Sequence, residues 1–260
     1  MLFFVSGGVR LAYAVFEPDV SDSNIPDRHE PIVLVHGFAS NHAVNWLNTG
    51  WVKALTADGR RVIALDNRGH GQSERLHDPA AYAAPVMAED VCRLMDHLGV
   101  PRADVMGYSM GARISAFLAL AHPDRLRSLL LGGLGIKLVD GVGLPPTIAD
   151  AMEAKSVADL SDPVQRMFRS FAEATGSDLV AMAACIRGSR QTLSEDEVRS
   201  IALPTLVSVG TADMVAGLAA PLAALLPLGE VLDIPGRDHN LAVGDRTHKQ
   251  GVLAFLGRRP

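Results

Sequence analysis

Apolar residues along the chain alternate between short, dense runs and longer stretches in which they recur every three or four positions. Leu2 to Val5 and Val9 to Phe16 are rich in β-forming residues and are separated by Ser6-Gly7-Gly8. Paired glycines supply the positive backbone angles of a tight turn, so an antiparallel hairpin is predicted at the start. After a polar stretch bearing Pro18, Pro26 and Pro31, the run Ile32-Val33-Leu34-Val35 is apolar at every position, the pattern of a parallel strand covered on both faces. Arg61 to Leu65, Ala103 to Met106, Leu126 to Leu131, Leu203 to Val209 and Val231 to Ile234 carry the same signature. Helical patterns lie between them, at about Val44 to Thr56, Val86 to Leu98, Met110 to Ala121, Met214 to Leu226 and Asn240 to Leu256. Strands alternating with helices of this length predict an α/β fold, a parallel sheet with helices on both faces.

One connection breaks the rhythm. The chain between Leu131 and Leu203 is far longer than a connection normally needs. Helical segments are expected there around Thr147 to Lys155, Pro163 to Ala174, Asp178 to Ile186 and Glu195 to Ile201. Ser161-Asp162-Pro163 and Leu193-Ser194-Glu195 read as helix starts. The predicted organisation is a core built from residues 1–135 and 200–260, with a small helical cap inserted at 136–199. No internal repeat is visible.

Composition narrows the class. A chain of 260 residues is long enough for one large core, which needs neither disulfides nor a structural metal. Cys92 and Cys185 form no CxxC pair and have no histidine cluster nearby, so they read as buried or half-buried thiols in a reducing, cytoplasmic setting. With 24 Lys plus Arg against 29 Asp plus Glu, the net charge of -5 disfavours nucleic acid and anionic membrane surfaces as partners. Met1 to Val5 has no basic leader and is too short for a signal-peptide core, and no apolar run is long enough to span a membrane. No cofactor and no metal site are expected, because no His, Cys or carboxylate cluster has ligand spacing. The oligomeric state is not legible.

The chemistry is concentrated at strand ends. Gly107-Tyr108-Ser109-Met110-Gly111 follows a buried strand and opens a helix, the context in which a G-x-S-x-G string places a serine Oγ above the sheet edge. A serine hydroxyl needs a base within reach and a third group to fix that base's tautomer. Of nine histidines, His239 alone follows the last strand, through Pro235-Gly236-Arg237-Asp238, to the same edge as Ser109. His29, His77, His97, His122 and His248 read as solvated, His36 and His70 as braces of glycine-bearing loops, and His42 as a possible pocket residue. Asp213 follows the strand Leu203 to Val209 through Gly210-Thr211-Ala212 and is the expected orienting acid, with Asp238 and Asp233 as rivals. The backbone N–H groups of Met110 and Phe38 are candidates for an oxyanion hole.

His36-Gly37-Phe38, Asp66-Asn67-Arg68-Gly69-His70-Gly71-Gln72-Ser73, Gly107-Tyr108-Ser109-Met110-Gly111, Gly210-Thr211-Ala212-Asp213 and Gly236-Arg237-Asp238-His239 resemble the successive landmarks of the α/β-hydrolase superfamily. The resemblance covers nearly the whole chain. It implies an eight-stranded, mostly parallel sheet, a triad of Ser109, Asp213 and His239, and a cap between the sixth and seventh strands. Asp238 stands where many relatives have a second glycine, and Asp66 to Ser73 is expected to brace the site. The expected activity is that of a carboxylesterase-like serine hydrolase on small to medium, mostly uncharged esters, with a cap rich in Met152, Leu160, Met167, Phe168, Phe171, Met182 and Ile186. A small-molecule ester is the expected partner. The alternatives are a carbon-carbon bond hydrolase on a ring-cleavage product, with Arg166, Arg169, Arg187 or Arg190 near its carboxylate, a cofactor-free perhydrolase, and a slow-turnover ligand receptor. Helix-surface solvation is the first reading of those arginines, and of Lys137.

Overall fold

Strands β1 (Leu2–Ser6), β2 (Val9–Phe16), β3 (Ile32–Val35), β4 (Val62–Leu65), β5 (Ala103–Tyr108), β6 (Leu126–Gly132), β7 (Thr205–Gly210) and β8 (Gly229–Ile234) form one sheet in the order β1-β2-β4-β3-β5-β6-β7-β8. The computed structural model describes residues 1–18, 31–141 and 144–258. Pro26 and His29 lie outside them. Strand β2 pairs antiparallel with β1 and β4, and every other pairing is parallel, so the expected mostly parallel sheet forms. The opening hairpin turns on Gly7 and Gly8, at φ 56° and 86°, where a side chain would be strained.

Because strand side chains alternate, β3 feeds two cores. Ile32 and Leu34 pack with Trp46, Trp51, Val252 and Phe255 from α1 (Trp51–Ala57), α11 (Arg246–Arg258) and the turn before α1. Val33 and Val35 belong to the other core, to which α2 (Ala84–His97), α3 (Met110–Ala121) and α9 (Ala219–Leu225) also contribute. Leu34 is fully buried, and truncating such a residue to alanine costs about 2–5 kcal/mol.

Between β6 and β7 the chain runs through α4 (Lys137–Asp140), α5 (Ile148–Glu153), α6 (Pro163–Ala174), α7 (Leu179–Gly188) and α8 (Glu195–Ser200). Asp162 starts α6 by accepting the N–H groups of Val164 and Gln165, and Ser194 with Glu197 forms a reciprocal capping box on α8. Both helix starts agree with the sequence reading.

Several local expectations are corrected. The stretch Val44 to Thr56 is a π-helical turn (Ala43–Leu47) and α1, separated at Gly50, whose φ is 78°. Met214 to Leu226 is helical only in α9, because Asp213 takes the N–H groups of Val215 and Ala216 into a turn and Gly217 follows at φ 72°. Asn240 to Leu256 is split into α10 (His239–Val243) and α11 at Gly244. Strand β8 is an edge, with Val231 43% exposed, so it is not covered on both faces. His248 is buried, not solvated. Its Nδ1 donates to the Ala242 carbonyl and its Nε2 accepts from Ser208 Oγ at 2.9 Å. Arg169 is also buried, with Nη1 donating to the carbonyls of Ala151, Met152 and Ala154 at the end of α5.

Candidate active site

The strand order reverses between β3 and β5, which are sheet neighbours although β4 lies between them in sequence. A crevice opens at such a switch point, beyond the carboxyl ends of the strands. His36-Gly37-Phe38 leaves β3 there, and Ser109 leaves β5. Ser109 has φ 54° and ψ -113°, a strained conformation for a residue with a side chain. Its neighbours make the turn possible. A Cβ on Gly111 would stand 2.0 Å from the Val35 carbonyl oxygen, and one on Gly107 would stand 2.2 Å from the Gly111 carbonyl oxygen.

His239 begins α10 after β8 and presents Nε2 2.9 Å from Ser109 Oγ. Its Nδ1 donates to Asp213 Oδ2 at 2.7 Å. The other carboxylate oxygen of Asp213 accepts the N–H groups of Val215 and Ala216 at 2.8 and 3.0 Å. Burial would raise the carboxyl pKa of Asp213, but the bond from His239 and these backbone donors hold it below the ordinary value. Tyr108 Oη donates to the His239 carbonyl at 2.5 Å, which fixes the backbone of the histidine. The three residues singled out in the sequence therefore meet as one hydrogen-bonded chain.

The two rival acids stand elsewhere. Asp238 caps α10 through the N–H groups of Asn240 and Leu241, and Asp233 is exposed on β8. Among the described residues, neither the Phe38 nor the Met110 N–H has a hydrogen-bond acceptor. Both residues line space next to Ser109.

Around this chain the loops are braced as the sequence suggested. Asp66 accepts from His42 N, His42 Nδ1 and Gln72 N, and Asn67 N–H donates to His36 Nε2 at 3.0 Å. His70 Nδ1 donates to the Arg68 carbonyl. Burial, above all, lowers the pKa of His36 and brings that of His70 to about 3, so both are neutral spacers. His42 is committed to Asp66 and does not line either pocket described below.

Two pockets meet at Ser109 and Phe38. The larger, about 320 Å³, is lined by His239, Asn240, Val44, Asn45, Phe168 and Phe171, among others. The smaller, about 40 Å³, lies on the Met110 side against Arg113, Leu134, Ile186 and Ser189. Helix α6 reaches the sheet edge through Thr175 Oγ1, which donates to the Ala39 carbonyl at 2.9 Å. Of the apolar residues expected to cover the site, Phe168, Phe171 and Ile186 line the pockets; Met182 is fully buried. Asn45 and Arg113 are site residues that the sequence reading does not single out. Asn45 accepts the Gly37 N–H, and its Nδ2 is buried without a partner among the described residues. Nothing in the pattern marks Asn45, whereas Arg113 is a charged residue inside an otherwise apolar first turn. Among the described residues, no group of three or more His, Cys, Asp or Glu side chains is placed to hold a metal ion.

The sequence matches the family described as alpha/beta hydrolase fold over residues 30–184. It is 33% identical over 246 residues to the dihydrolipoyllysine-residue acetyltransferase component of the acetoin cleaving system of Pseudomonas putida, covering 87% of this chain and 63% of that protein. It is 34% identical over 127 residues to 2-hydroxymuconate semialdehyde hydrolase of Pseudomonas sp. (strain CF600), covering 46% of this chain and 44% of that one. The chain thus spans less than two thirds of the length of either relative. A hydrolase from Pseudomonas aeruginosa PA01 superposes with a TM-score of 0.76 at 24% identity over 98% of both chains. The family match over residues 30–184, together with the sheet order and the strand-end loops described above, shows that this chain belongs to the alpha/beta hydrolase fold family.

Proposed function

We propose that the protein is a serine hydrolase of the carboxylesterase type, acting on small to medium esters through an acyl-enzyme, with Ser109 as nucleophile, His239 as general base and Asp213 as the orienting acid. The observation that carries this reading is the unbroken path Ser109 Oγ to His239 Nε2 to Asp213, at 2.9 and 2.7 Å. Ser109 Oγ bonds to the acyl carbon while its proton passes to Nε2, and the negative charge moves to the former carbonyl oxygen. The free N–H groups of Phe38 and Met110 receive that oxyanion. The ester C–O bond then breaks, and the alcohol leaves with the proton held on Nε2. Water repeats the sequence, releasing the acid and restoring Ser109. Because the leaving oxygen must face His239, which lines only the larger pocket, the alcohol half belongs there and the acyl half in the smaller one. Residues 136–199 serve as a cap that excludes water from this crevice, a role supported by Phe168, Phe171 and Ile186 in the pocket walls.

A second reading, hydrolysis of a carbon-carbon bond, is favoured by the identity with 2-hydroxymuconate semialdehyde hydrolase. Steady-state turnover on a panel of p-nitrophenyl esters and on a ring-cleavage diketo acid separates the two. Faster turnover of the esters is expected, and turnover of the diketo acid alone would replace the first reading by the second.

A further inference from the structure

Four arginines are buried among the described residues: Arg60, Arg68, Arg113 and Arg169. Arg60 pairs with Asp58 and Asp104, Arg68 with Asp90, and Arg169 with Glu173. Arg113 departs from this rule. It is 4% exposed, and its bonds run to backbone carbonyls, from Nη1 to Gln191 at 2.5 Å and from Nη2 to Lys137 at 3.1 Å. A guanidinium has about five N–H donors, so the fork is only partly used.

Its surroundings add positive charge. Burial first, and then repulsion from Arg190, bring the pKa of Arg113 down to about 10, which leaves it charged at neutral pH. Arg190 itself donates to the Leu144 carbonyl at 3.2 Å. Arg113 also sits in the first turn of α3, at the end where the helix dipole is positive. A buried charge is costly unless an opposite charge meets it. No carboxylate of the described residues pairs with Arg113 or Arg190.

Arg113 lines the smaller pocket together with Ser109 and Met110. A water needs about 10–15 Å³ of such space. The roughly 40 Å³ present therefore seats about three heavy atoms, the size of a carboxylate group. Planar forks of this kind bind carboxylates in preference to single-point acceptors.

We infer that the smaller pocket is a carboxylate subsite, with Arg113 as its recognising residue, and that the substrates are half-esters of short dicarboxylic acids whose free carboxylate supplies the missing counter-charge. The inference rests on the reading of Ser109 as the acylated residue and revises one part of the expectation from sequence, the uncharged acyl group. Ring-cleavage diketo acids also carry a carboxylate, but the bond broken then differs.

The test compares a succinyl group with its neutral isostere. On the full chain, kcat/KM for the p-nitrophenyl half-ester of succinate should exceed that for p-nitrophenyl 4-methylpentanoate by about tenfold or more, and Arg113→Met should erase that ratio. Independently of turnover, calorimetric titration of Ser109→Ala protein should show succinate binding about tenfold or more tightly than 4-methylpentanoate. Arg113→Lys should keep part of this preference. Should Arg113→Met fail to fold, the comparison of the two ligands on Ser109→Ala protein decides alone. Equal binding of the two acids, or an unchanged ratio in folded Arg113→Met protein, would overturn the subsite. Selective succinate binding without turnover of any ester would instead leave the subsite standing and remove the esterase reading.

Discussion

Nδ1 of His239 lies 2.7 Å from Oδ2 of Asp213, a residue 26 positions earlier, while the carboxylate next to it in sequence, Asp238, accepts two amides of α10 through Oδ1. The two acids therefore have separable tasks. Asp213→Asn should lower kcat by about 10⁴-fold, since an amide no longer fixes the tautomer in which Nε2 is the free base. Asp238→Asn should leave both kcat and the unfolding midpoint nearly unchanged, because asparagine caps helices about as well as aspartate. Steady-state kinetics and thermal melts of the two variants check this ranking, and the reverse order would move the orienting role to Asp238.

The turn that carries Ser109 depends on two missing side chains. Gly111→Ala should lower stability by about 2 kcal/mol or more, or prevent folding, because the new methyl would meet the backbone of β3. Gly257→Ala, where no atom lies within 4 Å, should be neutral or stabilising by up to about 1 kcal/mol. Urea midpoints measure both. Similar midpoints for the two variants would contradict the packing described at the turn.

Buried imidazoles should make the fold sensitive to mild acid. Burial holds His248 at about 4 and His70 at about 3, and lowers His36, whereas an unfolded imidazole titrates near about 6.5. Between about pH 6.5 and 4 the unfolded chain therefore binds protons that the folded chain refuses, and stability falls as pH falls, by up to about 1.4 kcal/mol per pH unit for each group. Asp66 and Asp213 lie below their ordinary values, so their contribution is present above about pH 3.8 and is lost only at lower pH. Urea midpoints between pH 7 and 5 should decline, and His248→Gln, though less stable at pH 7, should decline less steeply. Equal slopes would show that His248 does not resist protonation in the fold.

Much of this architecture was legible from local rules. β-forming runs flanking turn glycines identify β1 and β2, dense apolar runs identify β3 to β7, and a G-x-S-x-G string between strand and helix has few meanings other than the turn at Ser109. The limits were equally physical. The exposure of β8 follows from its position at the sheet edge, a long-range property absent from the run Val231 to Ile234. His248 reads as polar on an amphipathic helix, yet Ser208 on β7 and the Ala242 carbonyl satisfy it inside the core. Arg169 and Arg113 owe their burial to helix ends and loops brought together by the fold, the carbonyls of Ala151, Met152 and Ala154 for one and those of Gln191 and Lys137 for the other. No sequence spacing encodes those meetings.

The proposed mechanism requires that Ser109 becomes covalently acylated with help from His239. Intact-mass and peptide analysis after treatment with a fluorophosphonate tests it most directly, because the reagent reports the activated hydroxyl without any assumption about substrate. A single adduct is predicted, on the peptide containing Ser109, absent in Ser109→Ala and strongly slowed in His239→Ala. An adduct forming at the same rate on another residue, or persisting in Ser109→Ala, would show that Ser109 is not the nucleophile.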